Sequence, residues 1–318
     1  MADTLYGSVT GCSQLESITV TDSHTAPTAT ATIQCQVSSL DVGDSVNVNL
    51  GYTSGHNKVF SGYVKSVKRS EQPTRYEITC ANAMIRAVDY FIASSNPSQP
   101  YSKENISAED LVKGLMQMAG LSVSAESTNF TFATKGYPLE VNLTSVYDFC
   151  KFVAGALAWS LWANENGVVQ FKPRPPYPDG DSSVATLDNT NLVDVSYSRS
   201  DRDLRNRIVV YGSEGVFAEA KESSPYLPAG FYKTSVLAAP TLIDSEAIAQ
   251  QAADYNLSLF NRLTVGGSAT IYGDSSISCR DCVEVNKSDI GMNGQFYVYG
   301  IEHTWGKEGY TTSMELRQ

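Results

Sequence analysis

Histidine is scarce in this chain: three in 318 residues, His24, His56 and His303. Ser-His-Asp or Cys-His catalysis would have to recruit one of these, and no Gly-x-Ser-x-Gly turn presents a nucleophile. Charge is thin, at 18% of residues, and it is unbalanced, with a formal net charge of −11. An acidic chain has no electrostatic attraction for a phosphate backbone, which excludes specific nucleic-acid binding as a main role. No run approaches the ~20 apolar residues of a membrane-spanning helix, so no membrane insertion is expected. The opening Met1-Ala-Asp-Thr-Leu-Tyr has neither the basic nor the apolar region of an export signal. Cysteines are few, at positions 12, 35, 80, 150, 279 and 282, and without an export signal they are expected as reduced thiols.

Cys279-Arg-Asp-Cys282 is a C-x-x-C motif, which raises zinc and redox chemistry. A structural zinc needs four ligands, and no second cysteine or histidine pair follows at the required spacing. A thioredoxin-like motif opens a helix, whereas this one runs into the strand-like Cys282-Val-Glu-Val-Asn286. Structural cysteines are the expectation. Gly212-Ser-Glu-Gly215 and Gly266-Gly267 lack the lysine and the strand-to-helix setting of a phosphate loop. Trp159 and Trp162 adjoin a helical core stripe and are read as packing, not as a sugar platform. No catalytic, cofactor-binding or metal-binding residue is therefore expected.

What fills the sequence is Tyr, Ser, Thr and Asn in alternating runs, the profile of a protein rich in β strands. Residues 1–93 read as a first β-barrel domain, closed by a short helix between Ala81 and Asp89. The breaker cluster at 94–100 marks a boundary. Residues 94–180 read as an α+β domain. One helix is capped at Ser107, and another starts near Thr144 or Ser145 with Val146, Phe149, Cys150, Val153, Ala154 and Leu157 on one stripe. A hairpin crosses Asn164–Gly167, and Lys172–Gly180 is a stiff proline-rich linker. Residues 181–318 read as a second β-barrel domain with one helix, capped by Asp244, and with a polar loop over 213–230. The predicted fold is thus mainly β with an α+β insertion: two similar small barrels flank a helix-containing middle domain.

The similarity of the barrels rests on a repeat. Asp44-Ser-Val-Asn-Val-Asn49 aligns without a gap on Asp281-Cys-Val-Glu-Val-Asn286, and an aromatic strand follows each. Each pair of strands is joined by a tip, at Tyr52–Asn57 and at Asp289–Asn293, with the turn of the second placed at Met292-Asn293-Gly294.

The order D-x-V-x-V-N, then Tyr297-Val-Tyr-Gly-Ile-Glu-His303, then Gly309-Tyr-Thr-Thr-x-Met314-x-Leu316 resembles the C-terminal barrel of phage tail baseplate hub proteins. That family includes the central hub of phage Mu and is related to the base of type VI secretion spikes. The resemblance implies a virion protein assembled in the host cytoplasm, without enzymatic activity. It also implies a homotrimer whose six β units form a ring between the tail tube protein and the central spike protein, in contact with other baseplate proteins. Tyr52, His56, Asn57, Asp289, Met292 and Asn293 would then be interface tips. A hub-like cell-wall hydrolase and a glycan-binding surface module are the alternatives.

Overall fold

The structure, a computed structural model, describes residues 3–71, 74–93, 101–134, 138–174 and 182–318. It is mainly β with a helix-containing insertion. The first unit comprises β1 (Leu5–Val9), β2 (Cys12–Ser23), β3 (Thr30–Ser38), β4 (Ser45–Tyr52), β5 (Gly55–Glu71) and β6 (Thr74–Asn82). Their spatial order is β1-β4-β5-β6-β3-β2, all antiparallel. Alternation decides which face is covered: Ala31, Ile33 and Cys35 of β3, and Val46, Val48 and Leu50 of β4, point inward and are buried. With Ile18, Val20, Phe60, Val64 and Ile78 they make one core. Each of the Val, Leu, Ile and Phe side chains among them contributes ~1.5–3 kcal/mol by leaving water.

The middle segment opens with α1 (Ile85–Asp89), whose neighbour Met84 is fully buried. The short strands β7 (Phe91–Ile92), β8 (Tyr101–Lys103) and β9 (Ile106–Ser107) lead to α2 (Ala108–Met118). Next come β10 (Val123–Ala125), β11 (Thr131–Phe132), β12 (Leu139–Val141) and β13 (Thr144–Ser145), then α3 (Val146–Ala156) and the hairpin β14 (Trp159–Ala163) to β15 (Val169–Pro173). Ser107 caps α2 as predicted and Ser145 caps α3, each hydroxyl accepting from the backbone N–H three residues on. The boundary cluster at 94–100 lies outside the described residues, as do 175–180 of the predicted linker. Lys172 and Pro173 belong to β15, where Pro173 pairs opposite Trp159.

The last segment carries β16 (Ala185–Leu187), β17 (Leu192–Ser200), β18 (Arg207–Tyr211), β19 (Phe217–Lys221), β20 (Thr234–Ala238), α4 (Glu246–Phe260), β21 (Thr264–Tyr272), β22 (Cys282–Lys287), β23 (Met292–Gly306) and β24 (Gly309–Arg317). β19 occupies part of the stretch predicted as a polar loop. Asp244 is not the cap of α4. Ser245 is, accepting from Ile248 N–H, while the Asp244 carboxylate accepts from Thr134. The turn before β23 is also displaced from its predicted place. It forms at Ser288–Ile290 with Gly291 left-handed (φ 78°), and Met292, Asn293 and Gly294 already pair with β22.

Spatially β16-β22-β23-β24-β21-β17 repeats the order of the first unit strand for strand. The details repeat too. Asp41 N–H donates to the Asp44 carboxylate (2.8 Å), and Ser278 N–H donates to that of Asp281 (2.7 Å). The next position back, Gly43 or Arg280, is left-handed in both, with φ of 94° and 81°. Its N–H bonds the carbonyl of Val64 or Val298, and the N–H of that valine returns to Asp44 or Asp281. A register shift follows each valine, before Ser66 and before Gly300. Another precedes Ser17 in β2 and Asp194 in β17. One difference stands out: β1 is antiparallel to β4, whereas β16 is parallel to β22.

The two units share one sheet because β2 pairs with the outer half of β23, Ser17 opposite Gly306 through Ser23 opposite Gly300. The cores divide the chain at a place the sequence does not mark. Leu187, Ile271, Val283, Phe296 and Leu316 belong to the second unit's own core. Ile208, Val210, Ala249 and Ala253, on β18 and α4, pack instead with Leu111, Val153 and Phe171 of the middle segment.

Candidate assembly surfaces

Arg280 ties all three parts together. Its guanidinium donates to the Asp22 carboxylate (3.0 Å) and to the Ser23 carbonyl (3.2 Å) at the end of β2. It also lies 4.8 Å from the centre of the Trp162 ring on β14. The residue is 5% exposed, so these contacts stand in for water. The C-x-x-C motif thus acts structurally, through Arg280, one of the two residues between its cysteines. The signal was present in the repeat: Arg280 aligns with Gly43, at a backbone position that favours glycine. Trp162 and Trp159 are packing residues, the latter 4.7 Å from Phe171.

All six cysteines are unbonded, and five are buried. Burial pushes the Cys35, Cys80 and Cys279 thiols up to about 12, the reverse of what a reactive thiolate needs. No group of three or more His, Cys, Asp or Glu with metal-binding geometry occurs among the described residues. His303 Nδ1 shares a buried network with the Tyr310 hydroxyl (2.8 Å) and Thr312 (3.2 Å), and burial holds its pKa at about 4. His24, in the bend after β2, is buried against Tyr299, and neither ring nitrogen has a hydrogen-bond partner among the described residues. Burial and then the Arg280 charge lower its pKa to about 2.

The predicted tips divide. Tyr52 and Gly55 close the β4–β5 hairpin, whose Thr53 and Ser54 are held by the Asp3 carboxylate. Half-buried Tyr52 lies 6.2 Å from Tyr310, and exposed His56 stacks on Tyr6 at 3.8 Å. The Asn57 backbone N–H bonds Ser275 in the second unit (3.1 Å). This tip thus makes contacts within the chain while His56 and Asn57 stay exposed. Asp289 and Asn293 are exposed, Asp289 paired with Lys287 (2.9 Å). Met292 is fully buried in the second core, because the turn closes before it.

No family model matches the sequence, and no curated protein matches it in sequence. Solved structures do. A tail protein from Neisseria meningitidis MC58 is similar over 99% of this chain and 97% of its own, with a TM-score of 0.74 at 14% identity. The 43 kDa tail protein of prophage MuSo2 from Shewanella oneidensis is similar over 99% and 98%, with a TM-score of 0.71 at 12% identity. The E. coli c3393 protein, a component of the type VI secretion system with structural similarity to the T4 tail proteins gp27 and gp5, is similar over 98% of this chain and 76% of its own, with a TM-score of 0.60 at 10% identity. The fold is one shared by phage tail proteins and a type VI secretion component.

Proposed function

We propose that this chain is the structural hub of a phage-type tail baseplate, located in the virion, with three copies joining the tail tube to the central spike. The observation that carries the reading is the duplicated unit: one chain presents two β units of the same strand order, fused into a continuous sheet. A tube with sixfold symmetry meets six similar surfaces when three such chains close a ring, while a threefold spike meets three identical chains. Ring closure needs heterologous interfaces, and a chain whose two halves are alike supplies them in alternation. Each half then acts as one domain of the ring, with the middle segment outside the repeat. The likeness to tail proteins over nearly the whole chain supports the same role. The net charge of −11 suits a lumen through which DNA passes without sticking. Electron microscopy of the protein with its tube and spike proteins tests the reading. A three-chain ring with six similar lobes and a central hole is expected. A ring of any other chain number, or binding to neither partner, overturns it.

A further inference from the structure

The joint between the units leaves its own counterpart unmade. In each unit the fifth strand has an outer half beyond the register shift. In β23 that half is covered by β2. In β5 the corresponding half, residues 66–71, pairs with β6 on one side and with nothing on the other among the described residues. Likewise β2 is covered on both sides, whereas among the described residues its equivalent β17 pairs only with β21 and ends the sheet. One socket and one plug are therefore free on the same chain. An open edge invites pairing, and the run Val195–Ser198 of β17 carries neither charge nor proline to discourage it.

We propose that β17 of one copy pairs with the outer half of β5 of a second copy, reproducing between chains the joint that β2 and β23 make within one. The inference rests on the hub reading for the number of copies, and on the repeat alone for the contact. The repeat fixes the register. The shifts before Ser17 and before Asp194 equate Thr19 with Ser196. The shifts after Val64 and after Val298 equate Ser70 with Thr304. Thr19 lies opposite Thr304, so Ser196 lies opposite Ser70 of the neighbour. By the same mapping Tyr197 faces Arg69, which suits a cation over an aromatic ring, and Ser198 faces Lys68. Arg69, the equivalent of buried His303, is exposed in the single chain, and Tyr197, the equivalent of buried Val20, is half-buried. A slip of one residue would turn every one of these side chains to the wrong face, so the register is a sharp expectation.

Cysteine cross-linking tests it. The double variant Ser70→Cys with Ser196→Cys, treated with a short bismaleimide and run on a denaturing gel, is expected to give covalent dimers and trimers. Either single variant is expected to match the untreated-edge background set by Cys12 in the native chain. The pair Ser70→Cys with Tyr197→Cys, one residue out of register and on the opposite face, should link several-fold less. A double variant that links no more than the native chain overturns the edge pairing, and sedimentation of the same sample then separates the two readings. A trimer without cross-links leaves the hub standing with a different interface. Cross-linked ladders longer than three chains uphold the edge pairing and overturn the threefold ring.

Discussion

Removing the Arg280 side chain should loosen the whole molecule. In Arg280→Ala the Asp22 carboxylate loses its cationic partner, the Ser23 carbonyl loses a donor, and the Trp162 face loses a cation. Breaking a fully buried ion pair from one side costs roughly 3–5 kcal/mol. Asp22 keeps 22% of its side chain exposed, so water recovers part of this. About 2 kcal/mol is left, and the lost ring contact adds ~1 kcal/mol. Backbone geometry supplies a second, independent number. At φ 81° an alanine is strained by roughly 1 kcal/mol relative to glycine. Arg280→Gly should therefore be the milder variant, inverting the usual order in which glycine is the worse replacement. Urea unfolding followed by tryptophan fluorescence reads both, with Trp162 at the joint and Trp159 inside the middle core. The expected result is a loss of about 3 kcal/mol for Arg280→Ala and about 2 kcal/mol for Arg280→Gly, with a shallower transition as the three cores lose their coupling. A loss below 1 kcal/mol for Arg280→Ala, or an alanine variant as stable as the glycine one, would refute the reasoning.

Acid should destabilise the protein well above the range where carboxylates titrate. His303 and His24 have folded pKa values of about 4 and about 2, both below the ordinary 6.5, so the unfolded chain takes up protons first. Stability is full above pH 6.5 and falls as pH drops toward 4. Each histidine contributes a loss of about 2 kcal/mol by pH 5, and His303→Gln should remove about half of that slope in denaturant titrations at pH 7.5 and pH 5. Gly267→Ala should lift β17 from the sheet, since a Cβ there would lie 1.8 Å from the Ser196 carbonyl oxygen. A drop in unfolding free energy of roughly 1–3 kcal/mol checks it. Thiol titration of denatured, unreduced protein should find six groups, and in the native protein Cys12, the half-exposed one, should react first. A total of four or fewer would contradict the free thiols.

Alternation made the strands legible: the inward set of β3 and β4 can be read directly from Ala31, Ile33, Cys35 and Val46, Val48, Leu50. Ser107 announced α2 because a cap is a local device, and the apolar stripe from Val146 to Leu157 announced α3. Pairing between distant strands is not local, and nothing in β2 names β23 as its neighbour. The allegiance of α4 was hidden for the same reason. Its small residues Ala249, Ala252 and Ala253 say that something packs closely, not that the partner is the middle segment. The repeat was visible as six aligned residues, and its consequence for the backbone was not: that Arg280 occupies a glycine's place emerges only once the turn geometry is known. Met292 was misplaced because Asn293-Gly294 outranks Asp289-Ile290-Gly291 as a turn signal by residue type, while the chain turns at the earlier glycine.

The pairing of β2 with β23 also sets a clock for synthesis. The first unit has all its strands once Asn82 leaves the ribosome, yet the open side of β2 must wait for residue 300. At about 5–20 residues per second that interval lasts about 10–40 s. Throughout it a nascent chain carries a finished strand with bare amides and carbonyls, and Val20 without its cover. Neighbouring chains on the same messenger carry the same strand at the same moment. The yield of usable protein would then depend on translation speed between codons 82 and 300.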